Sequence, residues 1–512
     1  VINKVDLPSA MTEDVKKQII ELIGCEEDDI ILASAKSGEG IDLIFDAIVN
    51  RIPPPRSSKS SETRALIFDS TYDNYRGAIP YVRVYDGVIK KGMSVKFHAH
   101  EDTYDIIEVG HFVLKMIENG KIKEIGVGLP TKNYRLVNGT NFWVTPGLID
   151  VHSHMGVYPA PGTSNHSDGN EMTSPVTAEV WAEHSVWPGD PQFEKALAGG
   201  VTTLLILPGS GNLIGGRGVT LKNVPSITVQ GMKFPNAPYS LKMACGENPK
   251  RVYGNRNMLP STRMGNMAGY RKAWIKAKEY KKSWDEYLAE DSEIPLSEKP
   301  IRDLRMETLA GVLEGEIKVH NHCYRADEMV QMIDMSKEFG YKISAFHHTV
   351  EGYKIAPILA KEGICGVMWA DWWGFKQEAY DMVRENIALT DYAGACAIIH
   401  SDDAIQVQRL NQEIAKAMSA GNRMGLNISP AHALRWLTSN AAQSLGLEEK
   451  IGSIEIDKNA DIVLWNGDPF STYTKASKVW IDGTLLYDID KPGLTRTADF
   501  NLGIIAPGEK RP

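Results

Sequence analysis

A chain of 512 residues is too long for one ordinary domain and suits two or three. Its composition, 43% hydrophobic and 24% charged, is typical of a globular protein, and no apolar run is long enough to span a membrane. The formal net charge of -9 argues against a general polyanion-binding surface, so we expect neither nucleic acid nor a membrane as a partner.

The first fifty residues alternate between helix and strand patterns. Residues 12–24 carry apolar side chains at helical spacing with Thr12 as the predicted N-cap, residues 29–34 predict a short buried strand, and residues 40–51 predict a second helix. Residues 53–61 are typical of a linker, and residues 63–98 change to the period of β-strands. We therefore predict an α/β segment at 1–52 and a small β-barrel at 62–113.

Two short motifs accompany the first predicted strands, Asn3-Lys4-Val5-Asp6 and Ser34-Ala35-Lys36. Their spacing, the adjoining barrel and the segments Phe68-Asp69-Ser70 and Tyr75-Arg76-Gly77 resemble translation elongation factor 4 (LepA type) over residues 1 to about 115. The resemblance implies the end of a GTPase domain followed by its β-barrel domain. It also implies a guanine-binding remnant formed by Asn3, Lys4, Asp6, Ser34, Ala35 and Lys36.

The phosphate-binding half of such a GTP site is missing from the sequence. The loop G-x-x-x-x-G-K-[ST] occurs nowhere in the chain. Without its backbone amides, lysine and magnesium-binding hydroxyl, GTP hydrolysis is not expected. A folded remnant without activity is the preferred interpretation of this part.

The pattern changes again near residue 114. Asn119-Gly120 between apolar segments predicts a hairpin, and an apolar strand ending at Val151 leads directly into His152-Ser153-His154. Alternate residues of a strand point to the same side, so the two imidazoles can bind one ion. From about residue 116 to 490 the chain resembles the amidohydrolase superfamily, particularly its imidazolonepropionase- and prolidase-like branch.

This resemblance implies an α/β fold: a (β/α)8 metal-dependent hydrolase barrel at 146–449, with its ligands at the C-terminal ends of the strands. A small β-sandwich is expected from 116–145 plus 450–490. The partial α/β GTPase fragment and the small β-barrel precede it. Strands are predicted near 144–151, 201–207, 239–245, 316–320, 342–347, 365–369 and 395–400, and helices near 190–199, 264–290, 325–338, 352–362, 404–420 and 430–444.

The resemblance also implies further histidine ligands. His320, the first histidine of its strand, carries over as a ligand, whereas His322 is expected to face substrate or to hydrogen-bond within its loop. Adjacent residues of a strand face opposite ways, so only one of His347 and His348 is expected to reach the barrel mouth. Alignment of the following Glu-Gly-Tyr segment favours His348.

Carboxylates complete the implied site. Asp402 matches the superfamily's general base and additional metal ligand, and Asp403 is expected to cap the next helix. The bridging position is open: Glu247 is favoured, a carboxylated Lys242 is the alternative, and a mononuclear site is the third possibility.

These residue types fit one reaction. One or two divalent ions, zinc most suitably and manganese or iron otherwise, would lower the pKa of water to about 7. Asp402 would accept the proton and pass it to the leaving nitrogen. We predict hydrolysis of an amide, cyclic amide or peptide-like C–N bond in a small molecule. The alternatives are a deaminase on the same scaffold and an elongation factor 4-like, ribosome-binding fragment carrying an inactive barrel.

Substrate contacts are harder to assign from the sequence. The glycine-rich segments 209–212 and 215–218 predict a mobile loop over the site, and His322, Arg325 and Arg217 are the candidate substrate-binding residues. A homo-oligomer is possible. The five cysteines show no zinc-site or redox spacing, and their odd number predicts no disulfide framework, which favours a reducing, cytoplasmic location.

Overall fold

The computed structural model describes residues 1–7, 10–51, 63–73, 77–97, 102–107, 114–126, 129, 134–139 and 141–491. The chain separates into two compact units, Val1–His111 and Phe112–Pro512. The predicted linker at 53–61, the residues Tyr75 and Arg76, and the segment after Lys491 lie outside the described residues.

The first unit begins with a short parallel pairing between Ile2 and Leu32. Its first helix ends at Gly24, whose φ of 68° gives the left-handed cap that glycine adopts without strain. The prediction that Thr12 caps this helix is wrong, because Thr12 is its first residue and Met11 precedes it without a side-chain cap. Strands β1 and β2 pair antiparallel, as do β3 and β4. The elements are α1 (Thr12–Ile23), α2 (Ile41–Arg51), β1 (Arg64–Asp73), β2 (Gly77–Asp86), β3 (Ser94–Lys96) and β4 (Thr103–Asp105).

The second unit contains the remaining elements. No helix in the described parts of the chain is both long and apolar enough to cross a bilayer. The strands are β5 (Leu114–Glu118), β6 (Lys121–Gly126), β7 (Trp143–Pro146), β8 (Leu148–Ser153), β9 (Val201–Ile206), β10 (Ile214–Lys222), β11 (Ser240–Ala244), β12 (Lys318–Cys323), β13 (Ile343–His348), β14 (Cys365–Met368), β15 (Ala397–Ile399), β16 (Ile462–Trp465), β17 (Ala476–Ile481) and β18 (Thr484–Asp488). The helices are α3 (Gln192–Ala198), α4 (Val229–Met232), α5 (Glu247–Gly254), α6 (Arg263–Leu288), α7 (Leu304–Leu313), α8 (Ala326–Phe339), α9 (Gly352–Glu362), α10 (Asn386–Tyr392), α11 (Leu410–Arg423), α12 (Pro430–Leu434) and α13 (Ser439–Leu445).

Eight strands, β8 to β15, form one sheet in sequence order. All run parallel except β10, which is antiparallel to both neighbours. The two ends of the sheet meet where the Asp402 N–H donates to His152 O at 3.1 Å, just beyond β15 and within β8. The predicted α/β barrel of eight strands is therefore confirmed, with one reversed strand.

The prediction of a mobile glycine-rich loop at 215–218 is wrong. These residues lie in β10, where every residue except Arg217 is buried. Gly216 has a φ of 110°, and a Cβ there would overlap Val180 O; a Cβ on Gly218 would lie 2.7 Å from Leu207 Cδ2. The glycines thus allow close backbone packing, which composition alone cannot distinguish from loop flexibility.

A second sheet combines strands that come before and after the barrel in the sequence. Its strand order is β18-β17-β16-β7. The β5–β6 hairpin turns at Asn119 and Gly120, which both have positive φ as the predicted turn requires. Ile122 of this hairpin is fully buried against Ala460 and Ile462, and its N–H donates to Lys458 O at 2.9 Å. The hairpin is therefore packed against the C-terminal segment.

The prediction of no disulfide framework is wrong. Cys245 is bonded to Cys323, and Cys365 to Cys396, with Cα atoms 5.3 and 4.4 Å apart. The partners are 78 and 31 residues apart in the chain, and each pair joins the ends of neighbouring barrel strands. Spacing in the sequence could not reveal this proximity, and the cytoplasmic location loses the support it drew from the cysteines.

Candidate metal centre

The barrel brings His152, His154 and Asp402 together. The Nε2 atoms of the two histidines lie 3.3 Å apart, and they lie 3.4 and 3.2 Å from Asp402 Oδ1. The other ring nitrogen of His154, Nδ1, donates to Leu207 O at 2.8 Å. That bond orients the ring so that Nε2 faces His152 and Asp402, the position from which it can act as a metal ligand.

His348 and His400 extend this group. One ring nitrogen from each of His152, His348 and His400 lies within 4.8 Å of the others, and all three side chains are buried. Neither ring nitrogen of His400, nor Nδ1 of His348, has a hydrogen-bond partner among the described residues. Buried polar atoms without partners are costly in a folded protein, so this set of donors fits a divalent cation.

Both adjacent histidines of β13 contact His152, but only His348, the favoured one, has a ring nitrogen grouped with those of His152 and His400. The ring centroids of His347 and His348 lie 4.7 and 4.8 Å from that of His152. The reason is the backbone: φ is 72° at His348 and 41° at Thr349, which ends the strand's alternation. His347 lies between two rings, with Nδ1 2.8 Å from His152 Nδ1 and Nε2 2.8 Å from His320 Nδ1. His320 thus adjoins the cluster through His347.

Lys242, rather than Glu247, has its side chain in the cluster. It is fully buried on β11, with Nζ 3.3 Å from His152 Nε2 and 3.0 Å from Pro208 O. Glu247 lies beyond the strand, at the start of α5, and its carboxylate is 3.7 Å from Lys376 Nζ. Glu247, the favoured bridging residue, therefore lies outside the cluster, whereas Lys242, the alternative, lies inside it.

Burial sets the protonation of the histidines. It lowers the pKa of His320 and His400 to about 3, and the pKa values of His152, His322, His347 and His348 far below the ordinary range. These imidazoles are neutral at pH 7, as metal ligation requires.

The two carboxylates beside the cluster, Asp402 and Asp150, differ in the direction of their pKa shifts. Burial raises the pKa of Asp402, but the hydrogen bond and charge of His154 outweigh it and hold that pKa below the ordinary value. Burial raises the pKa of Asp150 to about 7, although the hydrogen bonds that it accepts from Ser401 and His152 lower that pKa. Asp403 accepts from the N–H groups of Ile405 and Gln406 at 2.8 Å, in the turn before a 3-10 helix at Gln406–Arg409; the N-cap of that helix is Ile405 and that of α11 is Arg409, so the predicted cap is wrong.

Of the three candidate substrate-binding residues, only His322 lies beside the cluster. It is buried, and its ring centroid is 4.5 Å from that of His348. Arg217 instead stacks on Trp181 at 4.1 Å and donates to Thr308 Oγ1, and Arg325 pairs with Asp327 at 2.9 Å. Both arginines already have partners because β10 and the start of α8 direct them to neighbouring elements.

Sequence reasoning missed an aromatic wall at the site. Trp369 stacks on His348 with ring centroids 4.4 Å apart and lies 4.9 Å from His400, while Tyr324 stacks on His348 at 5.2 Å. Lys376 Nζ lies 4.2 Å above the Tyr324 ring. The sequence also offered no signal that the rings of both His347 and His400 contact His152.

In the first unit the two short motifs are adjacent. Asn3 Oδ1 accepts from the Ala35 N–H at 3.2 Å, and Asp6 Oδ1 accepts from Ser34 Oγ at 2.6 Å. The Lys36 N–H donates to Ser34 Oγ at 3.3 Å, and Lys4 has a φ of 67°. The residues of the expected guanine remnant therefore form two hydrogen-bonded loops next to each other.

Both parts of the chain are similar to known proteins. The sequence profile of the amidohydrolase family matches residues 382–487. An amidohydrolase from Thermotoga maritima of known structure is 36% identical, with a TM-score of 0.67, over 73% of this chain and 94% of that chain. This chain belongs to the amidohydrolase family. Amidohydrolase tasK from Hapsidospora irregularis is also 32% identical over 395 residues, which are 73% of this chain and 40% of that relative.

The N-terminal part of the chain, which precedes the amidohydrolase part, is similar to a translation factor. Elongation factor 4 from Chlorobium limicola is 52% identical over 115 residues, which are 22% of this chain and 19% of the factor. The chain thus joins a segment similar to elongation factor 4 to an amidohydrolase part, and it spans less than half the length of either curated relative.

Proposed function

We propose that the second unit is a metal-dependent hydrolase that cleaves the C–N bond of an amide, cyclic amide or peptide-like small molecule. The observation that carries the proposal is the convergence of His152, His154, His348, His400 and Asp402 at one end of the barrel. The chemistry of this donor set, neutral imidazoles and one carboxylate, favours zinc.

A divalent ion held by these residues would supply Lewis-acid activation of water and of the substrate carbonyl. Asp402 is ionised at neutral pH, because its pKa lies below the ordinary value. Its carboxylate accepts a proton from the attacking water, whose oxygen forms a bond to the carbonyl carbon. As the C–N bond breaks, Asp402 returns the proton to the leaving nitrogen, which balances the hydrolysis.

Lys242 is the proposed bridging residue if two ions bind. Burial lowers the pKa of its amine to about 7, so a substantial neutral fraction exists at physiological pH. Only a neutral amine can react with carbon dioxide to give the carbamate that such a bridge needs. Glu247 is not part of this proposal, because its carboxylate faces Lys376.

Metal analysis of the purified chain, coupled to a screen of amides, lactams and dipeptides, tests the function. We expect bound metal in both the native chain and Asp402→Asn, with a loss of turnover of at least about 10²-fold in the variant. A chain that folds fully and takes up no divalent ion would refute the proposal. Ammonia release from aminated heterocycles, with no amide cleavage, would instead identify a deaminase.

We also propose that the first unit does not hydrolyse GTP. The absence of a phosphate-binding loop from the sequence supports this. Calorimetric titration with GTP and guanosine separates the outcomes. GTP turnover by the chain would contradict the proposal, whereas weak binding of the base alone would agree with the adjacent Asn3 and Ser34 loops.

A further inference from the structure

Three polar side chains form a chain of contacts that ends beside the metal centre. Lys376 Nζ donates to Asn248 Oδ1 at 2.9 Å, and Asn248 Nδ2 lies 3.3 Å from His322 Nε2. Lys376 is held by its contact with the Tyr324 ring and by the Glu247 carboxylate 3.7 Å away. Lys376, Asn248 and His322 come from three different segments of the barrel, so the chain of contacts depends on the fold.

The chemistry of the donors fixes the direction of each hydrogen bond. A lysine ammonium can only donate, so the carbonyl oxygen of Asn248 must face Lys376. The amide NH2 of Asn248 must then face His322, and His322 Nε2 must accept. In a neutral imidazole the single proton therefore lies on Nδ1.

His322 Nδ1 has no partner among the described residues. The side chain is only 1% exposed, and its ring contacts those of His348 and Tyr324. A buried N–H without an acceptor is unusual in a folded protein. The ring that carries this donor lies beside His348, at the centre where the proposed function places the substrate.

We propose that Lys376 and Asn248 are positioning residues that hold His322 as its Nδ1–H tautomer, so that His322 donates a hydrogen bond to the carbonyl oxygen of the substrate. The proposal deepens the proposed function and rests on it for the identity of the acceptor. It favours substrates with an uncharged carbonyl group, such as amides and lactams. It also makes His322 a substrate-binding donor rather than a metal ligand, because a protonated Nδ1 cannot coordinate an ion.

The tautomer can be measured without any turnover. Full-length chain labelled with 15N-histidine and loaded with diamagnetic Zn²⁺ is examined by long-range 1H–15N correlation, and the His322 signals are assigned by their loss in His322→Gln. We expect the Nδ1–H pattern in the native chain. Asn248→Asp should switch it to Nε2–H, because a carboxylate can only accept. Lys376→Arg, which retains a donor, should keep the native pattern.

Two results overturn the proposal: an Nε2–H pattern in the native chain, or an Nδ1–H pattern that persists in Asn248→Asp. Removal of the exposed lysine in Lys337→Met, which breaks the Lys337–Glu362 ion pair, is the matched control and should leave the pattern unchanged. Lys376→Met tests the same chain of contacts if Asn248→Asp folds poorly, and it should mix the two tautomers.

Kinetics with an amide substrate from the screen provide the second readout. We expect Asn248→Asp to lose about 10²-fold in kcat with a smaller change in KM, because the donor stabilises charge that develops in the transition state. Lys376→Arg should recover most of the kcat that Lys376→Met loses. An unchanged kcat in Asn248→Asp overturns the proposal, whereas a native chain inactive on every amide refutes the proposed function and leaves the tautomer measurement decisive.

Discussion

Asp461→Asn should make the second unit more stable at neutral pH and remove part of its pH dependence. Asp461 is 6% exposed; its Oδ1 accepts from the Asp482 N–H at 2.8 Å, and Oδ2 has no partner among the described residues. Burial raises its pKa from 3.8 to about 6, although Lys222 and Lys121 oppose the shift.

The size of the stability effect follows from the difference between the pKa of Asp461 in the folded and in the unfolded state. A shift of about two pKa units corresponds to about 3 kcal/mol at about 1.36 kcal/mol per unit. Because the folded pKa is raised, the folded state binds more protons between pH 4 and 6, so the free energy of unfolding falls as pH rises through that window. Asparagine keeps the acceptor for Asp482 and carries no charge, but its NH2 group lacks a partner, which costs about 1–3 kcal/mol.

Urea unfolding at pH 7 and pH 4 measures the effect. All 11 tryptophans lie beyond residue 142, so their fluorescence reports on the second unit. The stability of Asp461→Asn relative to the native chain should be about 2.4 kcal/mol more favourable at pH 7 than at pH 4, because Asp461 is already partly ionised in the unfolded state at pH 4. Asp468→Asn, at an exposed position, is the control and should change by less than about 0.5 kcal/mol. A difference below about 1 kcal/mol, or one of opposite sign, refutes the reasoning.

Two further substitutions test the fold and the centre. Gly216→Ala should destabilise the second unit by about 2–4 kcal/mol in the same unfolding assay, because its Cβ would overlap Val180 O at a φ of 110°. Gly162→Ala is the control: its Cβ meets no atom within 4 Å, so the change should be nearly neutral. Equal effects of the two substitutions would contradict the packing argument. Lys242→Met should lower the metal content measured by mass spectrometry, because Lys242 lies in the cluster. Glu247→Gln should leave the metal content unchanged, because the Glu247 carboxylate faces Lys376. The reverse result would return Glu247 to the bridging position.

The first half of the centre could be predicted from local sequence. His152 and His154 follow an apolar strand at alternate positions, and that pattern requires both rings to lie on one side of it. Asp402 was found through its resemblance to the family motif, and the structure places it 3.2 Å from His154.

The other members of the candidate centre could not be predicted from local sequence. The choice between Lys242 and Glu247 depends on where β11 ends and the chain turns into α5, and the two residues are only five positions apart. The participation of His347 depends on a positive φ at His348. Both are decided by backbone geometry that residue types do not specify.

The sequence alone predicted that two unrelated segments are joined and, through the resemblance to the amidohydrolase superfamily, the barrel class and the residue types of the candidate metal centre. Only the tertiary structure decided which side chains share the centre, which cysteines pair, and that 215–218 is a buried strand. The physical reason is that a barrel places the ends of strands from distant parts of the chain side by side. His322, Asn248 and Lys376 meet in this way, although up to 128 residues separate them.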